Sequence, residues 1–152
     1  MTRLNPVSIQ IRKATQDHFG PISILHAETF AGIGVTAADS TKFLGAPEYY
    51  TWVALSEQEA VVGYAVITRR QPGIYFCWLG VNPPVRRTGI ARALVGAVHD
   101  WAVEVGEFEI KLDTRNRYRS AISAYLGLGY DVVGTWTHAD GDLMIQMRRN
   151  LP

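Results

Sequence analysis

The sequence predicts an α/β fold in one domain: a mixed central sheet of about seven strands with helices on both faces. Three observations carry this. Short apolar runs, alternating or continuous, recur along the whole chain. Amphipathic segments of helical spacing interrupt them, and turn-forming residues punctuate the joins. With 152 residues, 47% hydrophobic and 19% charged, the chain suits a single domain over 1–152 that needs no staples to bury a core.

The elements follow in order. Ser8 to Arg12 alternates Ile9 and Ile11 with polar residues, a first strand. From Asp17, the spacing of Ile22, Leu25 and Glu28 up to Phe30 predicts a helix whose start Gly20-Pro21 delays. Gly32 and Gly34 break it, and Thr36 to Leu44 reads as a second short helix. Tyr50–Leu55 and Val61–Thr68 make a hairpin across the polar turn Ser56–Ala60, and Ile74–Val81 is the third strand of the meander. A helix then places Ile90, Leu94, Val98 and Trp101 on one face and ends at Gly106. Phe108, Ile110 and Leu112 alternate with Glu109, Lys111 and Asp113, a strand with one polar face. Ser120–Leu128 is a short helix stopped by Gly129, and Val132–Thr137 with Leu143–Met147 closes a hairpin around Asp140-Gly141.

Composition excludes several functions. A net charge of +1 offers no general attraction to nucleic acid. No apolar run approaches the ~18 residues of a membrane span. Met1 to Pro6 lacks a charged-then-apolar signal pattern, and the one cysteine has no internal partner; cytoplasmic residence is the expectation. His18, His26, His99 and His138 show no paired metal-ligand spacing, so no metal site is expected. Cys77, within an apolar strand, reads as buried, and nothing marks a histidine partner that would make it a nucleophile.

The chemistry concentrates in Val81-Asn82-Pro83-Pro84-Val85-Arg86-Arg87-Thr88-Gly89-Ile90-Ala91-Arg92. The prolines end the strand, because they lack a donor N–H. Gly89 and Ala91 let backbone N–H groups approach a ligand closely. A helix start concentrates unpaired N–H groups and partial positive charge, and Arg86, Arg87 and Arg92 add full charges beside it. The stretch therefore suits a polyphosphate. It is neither a Walker loop nor a dinucleotide fingerprint.

Arg86-x-x-Gly89-x-Ala91 after a strand resembles the R/Q-x-x-G-x-G/A motif of the GCN5-related N-acetyltransferases (GNAT), with Val81-x-Pro83 before it and Leu94 after it. Leu112-Asp113-Thr114 followed by Ala121, Tyr125 and Gly129-Tyr130 resembles the second motif of that family, and Ile11-Arg12-x-Ala14-Thr15 a typical family start. The resemblance covers nearly the whole chain. One departure stands out: the family's asparagine, three before the alanine, falls at Tyr118, with Asn116 two residues earlier.

The resemblance implies a GNAT-like domain that binds acetyl-CoA as co-substrate and transfers acetyl directly to an amine. Pyrophosphate would sit at Arg86, Arg87, Thr88, Gly89, Ile90, Ala91 and Arg92. Pantetheine would pair with the strand around Leu79, Gly80 and Val81, the N–H of Leu79 polarising the thioester carbonyl. At the position of the missing motif residue, either Asn116 or Tyr118 would contact the coenzyme, and which of the two does so stays open. Tyr125 matches the tyrosine that donates a proton to the departing thiolate. Asp113, twelve residues before it, stands where ribosomal-protein alanine acetyltransferases carry a glutamate base. An ordinary aspartate (~3.9) is weak for that task, so a water relay or a raised pKa would be needed. Glu28 is the poorer base candidate.

Arg115, Arg117 and Arg119 either touch the coenzyme's 3′-phosphate or form a solvated loop, and Tyr49, Tyr50, Trp52 and Tyr64 either line an acceptor pocket or belong to the core. The expected acceptor is a small-molecule primary amine, with a protein N-terminus as the alternative and a non-catalytic CoA-binding domain as the rival. A nucleic-acid partner and a membrane are not expected. Many members of the family dimerise, so a homodimer is compatible, although nothing in the sequence shows the interface.

Overall fold

The computed structural model describes residues 8–70, 73–82 and 89–152. The strands are β1 (Gln10–Lys13), β2 (Tyr49–Leu55), β3 (Val61–Arg69), β4 (Ile74–Val81), β5 (Glu109–Arg115), β6 (Asp131–Thr137) and β7 (Leu143–Asn150). They form one mixed sheet of seven strands in the order β1-β2-β3-β4-β5-β7-β6. The α-helices are α1 (Phe19–Thr29), α2 (Ile90–Glu104) and α3 (Arg119–Gly127).

The strands fall within a few residues of the places the hydrophobic pattern assigns them. The first helical region differs. Gly20-Pro21 does not delay α1, because Pro21 lies in the first turn, where a missing N–H leaves no bond unmade. A 3₁₀ turn, Gln16–His18, precedes it, tied by the Thr15 N–H donating to His18 Nδ1 at 2.9 Å. The second helix expected over Thr36–Leu44 is a 3₁₀ segment, Ala37–Lys42. There the Ser40 and Thr41 hydroxyls donate to the carbonyls of Ala37 and Ala38, each at 2.7 Å. These short side chains compete with the backbone for i−3 acceptors and favour the tighter turn.

By contact density the chain forms two compact units, Met1–Val66 with Trp78–Val98, and Ile67–Cys77 with His99–Pro152. In the first, β1 runs antiparallel to β2 with Ile11 opposite Ala54. Ile22, Leu25, Val53, Leu55, Tyr64 and Leu94 are buried there. His26 is buried too, among the rings of Trp78, Phe43, Phe30 and Tyr64 at centroid distances of 4.6, 5.2, 5.4 and 5.6 Å. Its Nδ1 is hydrogen-bonded to the Tyr64 hydroxyl. Burial holds the imidazole down to about 4, so it is neutral.

In the second unit, β4 and β5 run parallel, with Ile74, Tyr75 and Phe76 against Ile110, Lys111 and Leu112. β5 pairs with β7, and β7 with β6, both antiparallel. Alternation along these strands separates two faces. Phe76, Ile110, Leu112 and Met147 are buried on one, where α3 packs through Tyr125. Tyr75, Asp113 and Trp136 lie on the other, joined by hydrogen bonds.

Candidate active site

Tyr125 is on α3, a short amphipathic helix whose outward positions Arg119, Ser120, Ser123 and Ala124 are exposed. Its ring packs edge-on against Phe76 of β4 at 6.5 Å and against Tyr130 at 5.5 Å. The residue is only 7% exposed, and burial pushes its phenol well above the usual range. It is therefore protonated at neutral pH. Among the described residues no hydrogen bond engages its hydroxyl, and no buried polar side-chain atom is left unpaired, so the hydroxyl itself reaches the surface. A protonated phenol with no hydrogen-bond partner among the described residues keeps its O–H free to donate.

Asp113 is on β5, opposite Gln146 of β7. Both carboxylate oxygens are engaged: Oδ2 accepts from the Tyr75 hydroxyl and Oδ1 from Trp136 Nε1 at 2.8 Å. The guanidinium of Arg70 lies 4.2 Å from the Tyr75 ring centroid. A carboxylate has about four lone-pair directions, so Asp113 keeps acceptor capacity beyond these two bonds. Asp113 and Tyr125 thus belong to the same unit but to opposite faces of its sheet. Tyr75 and Trp136 escape a reading of the sequence, because only the parallel β4–β5 register and the β6–β7 hairpin bring them to Asp113.

Apart from Asn116, the residues expected to grip the coenzyme lie in the other unit. Arg86, Arg87 and Thr88 are outside the described residues. Gly89 is exposed at φ +88°, the left-handed region that favours glycine, and its carbonyl accepts from the Ala93 N–H at 2.9 Å. It therefore starts α2, and the N–H groups of Ile90, Ala91 and Arg92 have no partner within the helix. Ile90 is buried and anchors this end, while Arg92 is exposed. On β4, Leu79 and Val81 are half-buried and Gly80 is buried. A Cβ on Gly80 would lie 2.3 Å from Cε1 of Tyr64, so only glycine fits beneath that ring. A cleft of about 690 Å³ in the same unit is lined by Arg12, Lys13, His18, Glu28, Glu59 and Asn82, which places Glu28 on an open, highly charged surface.

The remaining candidate residues have these surroundings. Arg115 is buried, its Nη1 donating to Asp140 at 2.7 Å and to Asp142 at 2.6 Å, and Arg117 pairs with Asp142 at 2.8 Å. Arg115 thus latches the β6–β7 turn. Trp52 and Tyr64 are core residues, while Tyr49 and Tyr50 are half-buried. Asn116 donates its backbone N–H to Leu143 at 2.9 Å, and Tyr118 occupies the N-cap of α3. Cys77 is half-buried, and burial pushes its thiol up to about 11. Among the described residues no group of three or more potential metal ligands occurs.

Comparison with known proteins gives a consistent picture. The profile of the acetyltransferase (GNAT) family matches residues 21–130. Human N-acetyltransferase 8B is 38% identical over 88 residues, which are 55% of this chain and 39% of that protein. The chain thus spans well under half the length of this curated relative. In structure, the chain is similar to the ribosomal-protein-S18-alanine N-acetyltransferase of Escherichia coli, with a TM-score of 0.82 at 16% identity over 95% of this chain and 94% of that one. It is equally similar to aminoglycoside 6′-acetyltransferase type Ii, with a TM-score of 0.82 at 21% identity, covering 94% and 98%. These two likenesses bear on the fold. The family profile spans well over half of the sequence, and the chain belongs to the acetyltransferase (GNAT) family.

Proposed function

We propose that this protein transfers acetyl from acetyl-CoA directly to the primary amine of a small molecule. The observation that carries this reading is Tyr125: a buried, protonated phenol whose hydroxyl has no partner among the described residues. Acetyl-CoA supplies an activated thioester, and the leaving thiolate needs a proton. Tyr125 donates it as charge builds on the sulfur. The N-terminus of α2, opened by Gly89, offers unpaired N–H groups to the pyrophosphate. The N–H of Leu79 stabilises the carbonyl oxygen as it becomes an oxyanion.

Direct attack fits the chemistry of Cys77. A thiol held near 11 is almost wholly protonated at pH 7, which makes it a poor acetyl carrier. The incoming ammonium must lose a proton before attack. Asp113 lies on the sheet face opposite Tyr125 but one residue past the last β4–β5 pair, Phe76 with Leu112, and from there it accepts the proton through a water at its remaining lone pairs, since Tyr75 and Trp136 already occupy one position on each oxygen. An α-amine (~8) needs less help from such a base than a lysine side chain (~10.4). The second reading, acetylation of a protein N-terminus, is favoured by Asp113 itself, twelve residues before Tyr125 as in the ribosomal-protein group.

Release of free thiol from acetyl-CoA, measured across a panel of small amines and of peptides with free N-termini, tests the assignment. Turnover with a small amine supports the first reading, and turnover with peptides alone supports the second. Acetyl-CoA binding with no thiol release on any acceptor would leave a non-catalytic domain. Tyr125→Phe should lower kcat by about 10²-fold with acetyl-CoA affinity nearly unchanged, the usual scale for loss of a general acid. Unchanged turnover removes Tyr125 from that role.

A further inference from the structure

Behind Tyr125 lies a polar chain, half-buried at Arg149 and buried at His99 and Tyr130, that the transfer reaction does not directly use. Arg149, on β7, donates from Nη1 to the Leu128 carbonyl at 2.6 Å, at the C-terminal end of α3. A cation there satisfies a carbonyl that the helix leaves unpaired and complements the negative end of its dipole. The same Nη1 lies 3.0 Å from His99 Nδ1. A guanidinium has donors only, so Nδ1 presents its lone pair, and the single ring proton of the neutral imidazole is on Nε2. Nε2 is 2.8 Å from the Tyr130 hydroxyl, so the ring N–H donates and the tyrosine oxygen accepts. His99 and Tyr130 are both buried, at 8% and 1% exposure. The direction of every bond is thereby set from the arginine to Tyr130.

Tyr130 is also the ring on which Tyr125 rests, edge to face at 5.5 Å, with Phe76 on β4 as the second contact at 6.5 Å. α3 holds only nine residues, too few to fix a side chain without tertiary support. We infer that Arg149, His99 and Tyr130 form a positioning network for Tyr125, fixing the wall against which its ring packs and so the aim of its hydroxyl. None of the three touches the reacting atoms. Misplacement of a catalytic group by about 1 Å can cost on the order of 10²-fold in rate, so a wall set by hydrogen bonds has kinetic consequences.

This inference rests on the reading of Tyr125 as the acid, and a double-mutant cycle separates the two. Tyr130→Phe keeps the ring and deletes only the accepting oxygen. His99→Leu removes both bonds of the imidazole, and His99→Gln restores a donor near Nε2. In an otherwise native enzyme, Tyr130→Phe and His99→Leu should each lower kcat roughly tenfold, with the KM for acetyl-CoA within about twofold. His99→Gln should recover most of the loss. In a Tyr125→Phe background the same changes should cost no further kcat, because nothing remains to be aimed. If they slow Tyr125→Phe by the same factor, the network acts independently of Tyr125 and the inference fails while the acid role stands. If Tyr125→Phe alone is fully active, the acid reading fails and the positioning role with it. Should His99→Leu not fold, the Tyr130→Phe cycle decides alone.

Discussion

Asp113 accepts hydrogen bonds from two aromatic donors, and this shapes what its replacement should do. Asparagine at this position can still accept from Trp136 Nε1, which only donates. Its amide nitrogen then faces Tyr75, whose hydroxyl can turn to accept. Asp113→Asn should therefore cost about 1 kcal/mol or less in stability, read from urea denaturation. If Asp113 receives the proton of the amine, the same change should lower kcat/KM by about 10²-fold and move the acidic limb of the pH–rate profile upward. An unaltered profile would leave Asp113 only the task of holding Tyr75 and Trp136. Tyr125 and Asp113 stand out in the sequence because motif spacing marks them. Their partners do not, since Tyr75 and Trp136 lie 38 and 23 residues from Asp113 in the chain. No local pattern encodes such a pairing.

The strands were largely legible because a two-residue period survives in apolar side chains. The segment Ala37–Lys42 reads as an ordinary helix but is a 3₁₀ turn, since hydroxyl-to-carbonyl bonds from Ser40 and Thr41 favour the tighter spacing there. The ends of elements hold sharper predictions than their middles. On β4, a methyl group on Gly80 meets the Tyr64 ring, itself hydrogen-bonded to buried His26. Gly80→Ala should destabilise the protein by about 1–3 kcal/mol, the usual cost of overpacking. A denaturation midpoint equal to wild type would refute that crowding. At the β6–β7 turn, Arg115→Met removes the buried cation that gathers Asp140 and Asp142. Amide exchange across residues 138–142 should quicken, with exchange in β5 changing less.

At the scale of the molecule, His26 and His99 bear on stability as a function of pH. Burial holds both near 4, with the Arg149 guanidinium adding to the effect at His99, against about 6.5 in an unfolded chain. Between those values the unfolded state binds more protons than the native state. Stability is then fully present above about pH 6.5 and falls as the pH drops toward 4, by up to ~1.4 kcal/mol per pH unit for each histidine. Thermal melts from pH 7.5 to 5 should show this fall, and His26→Gln should reduce its slope. A melting temperature constant over the range would contradict the burial of both rings. Hydrophobic periodicity was enough to read the α/β sheet, and the motifs around the arginine and glycine stretch and from Leu112 to Tyr130 were enough to read the family. They sufficed because each is written in neighbouring residues: strand pitch and the spacing of short motifs are local patterns. Only the folded chain decided that Arg115 is a latch, that Asp113 is already held by two rings, and that His99 and Arg149 stand behind Tyr125. Those roles follow from parallel register and from burial, which depend on residues far apart in the sequence meeting in a low-dielectric interior.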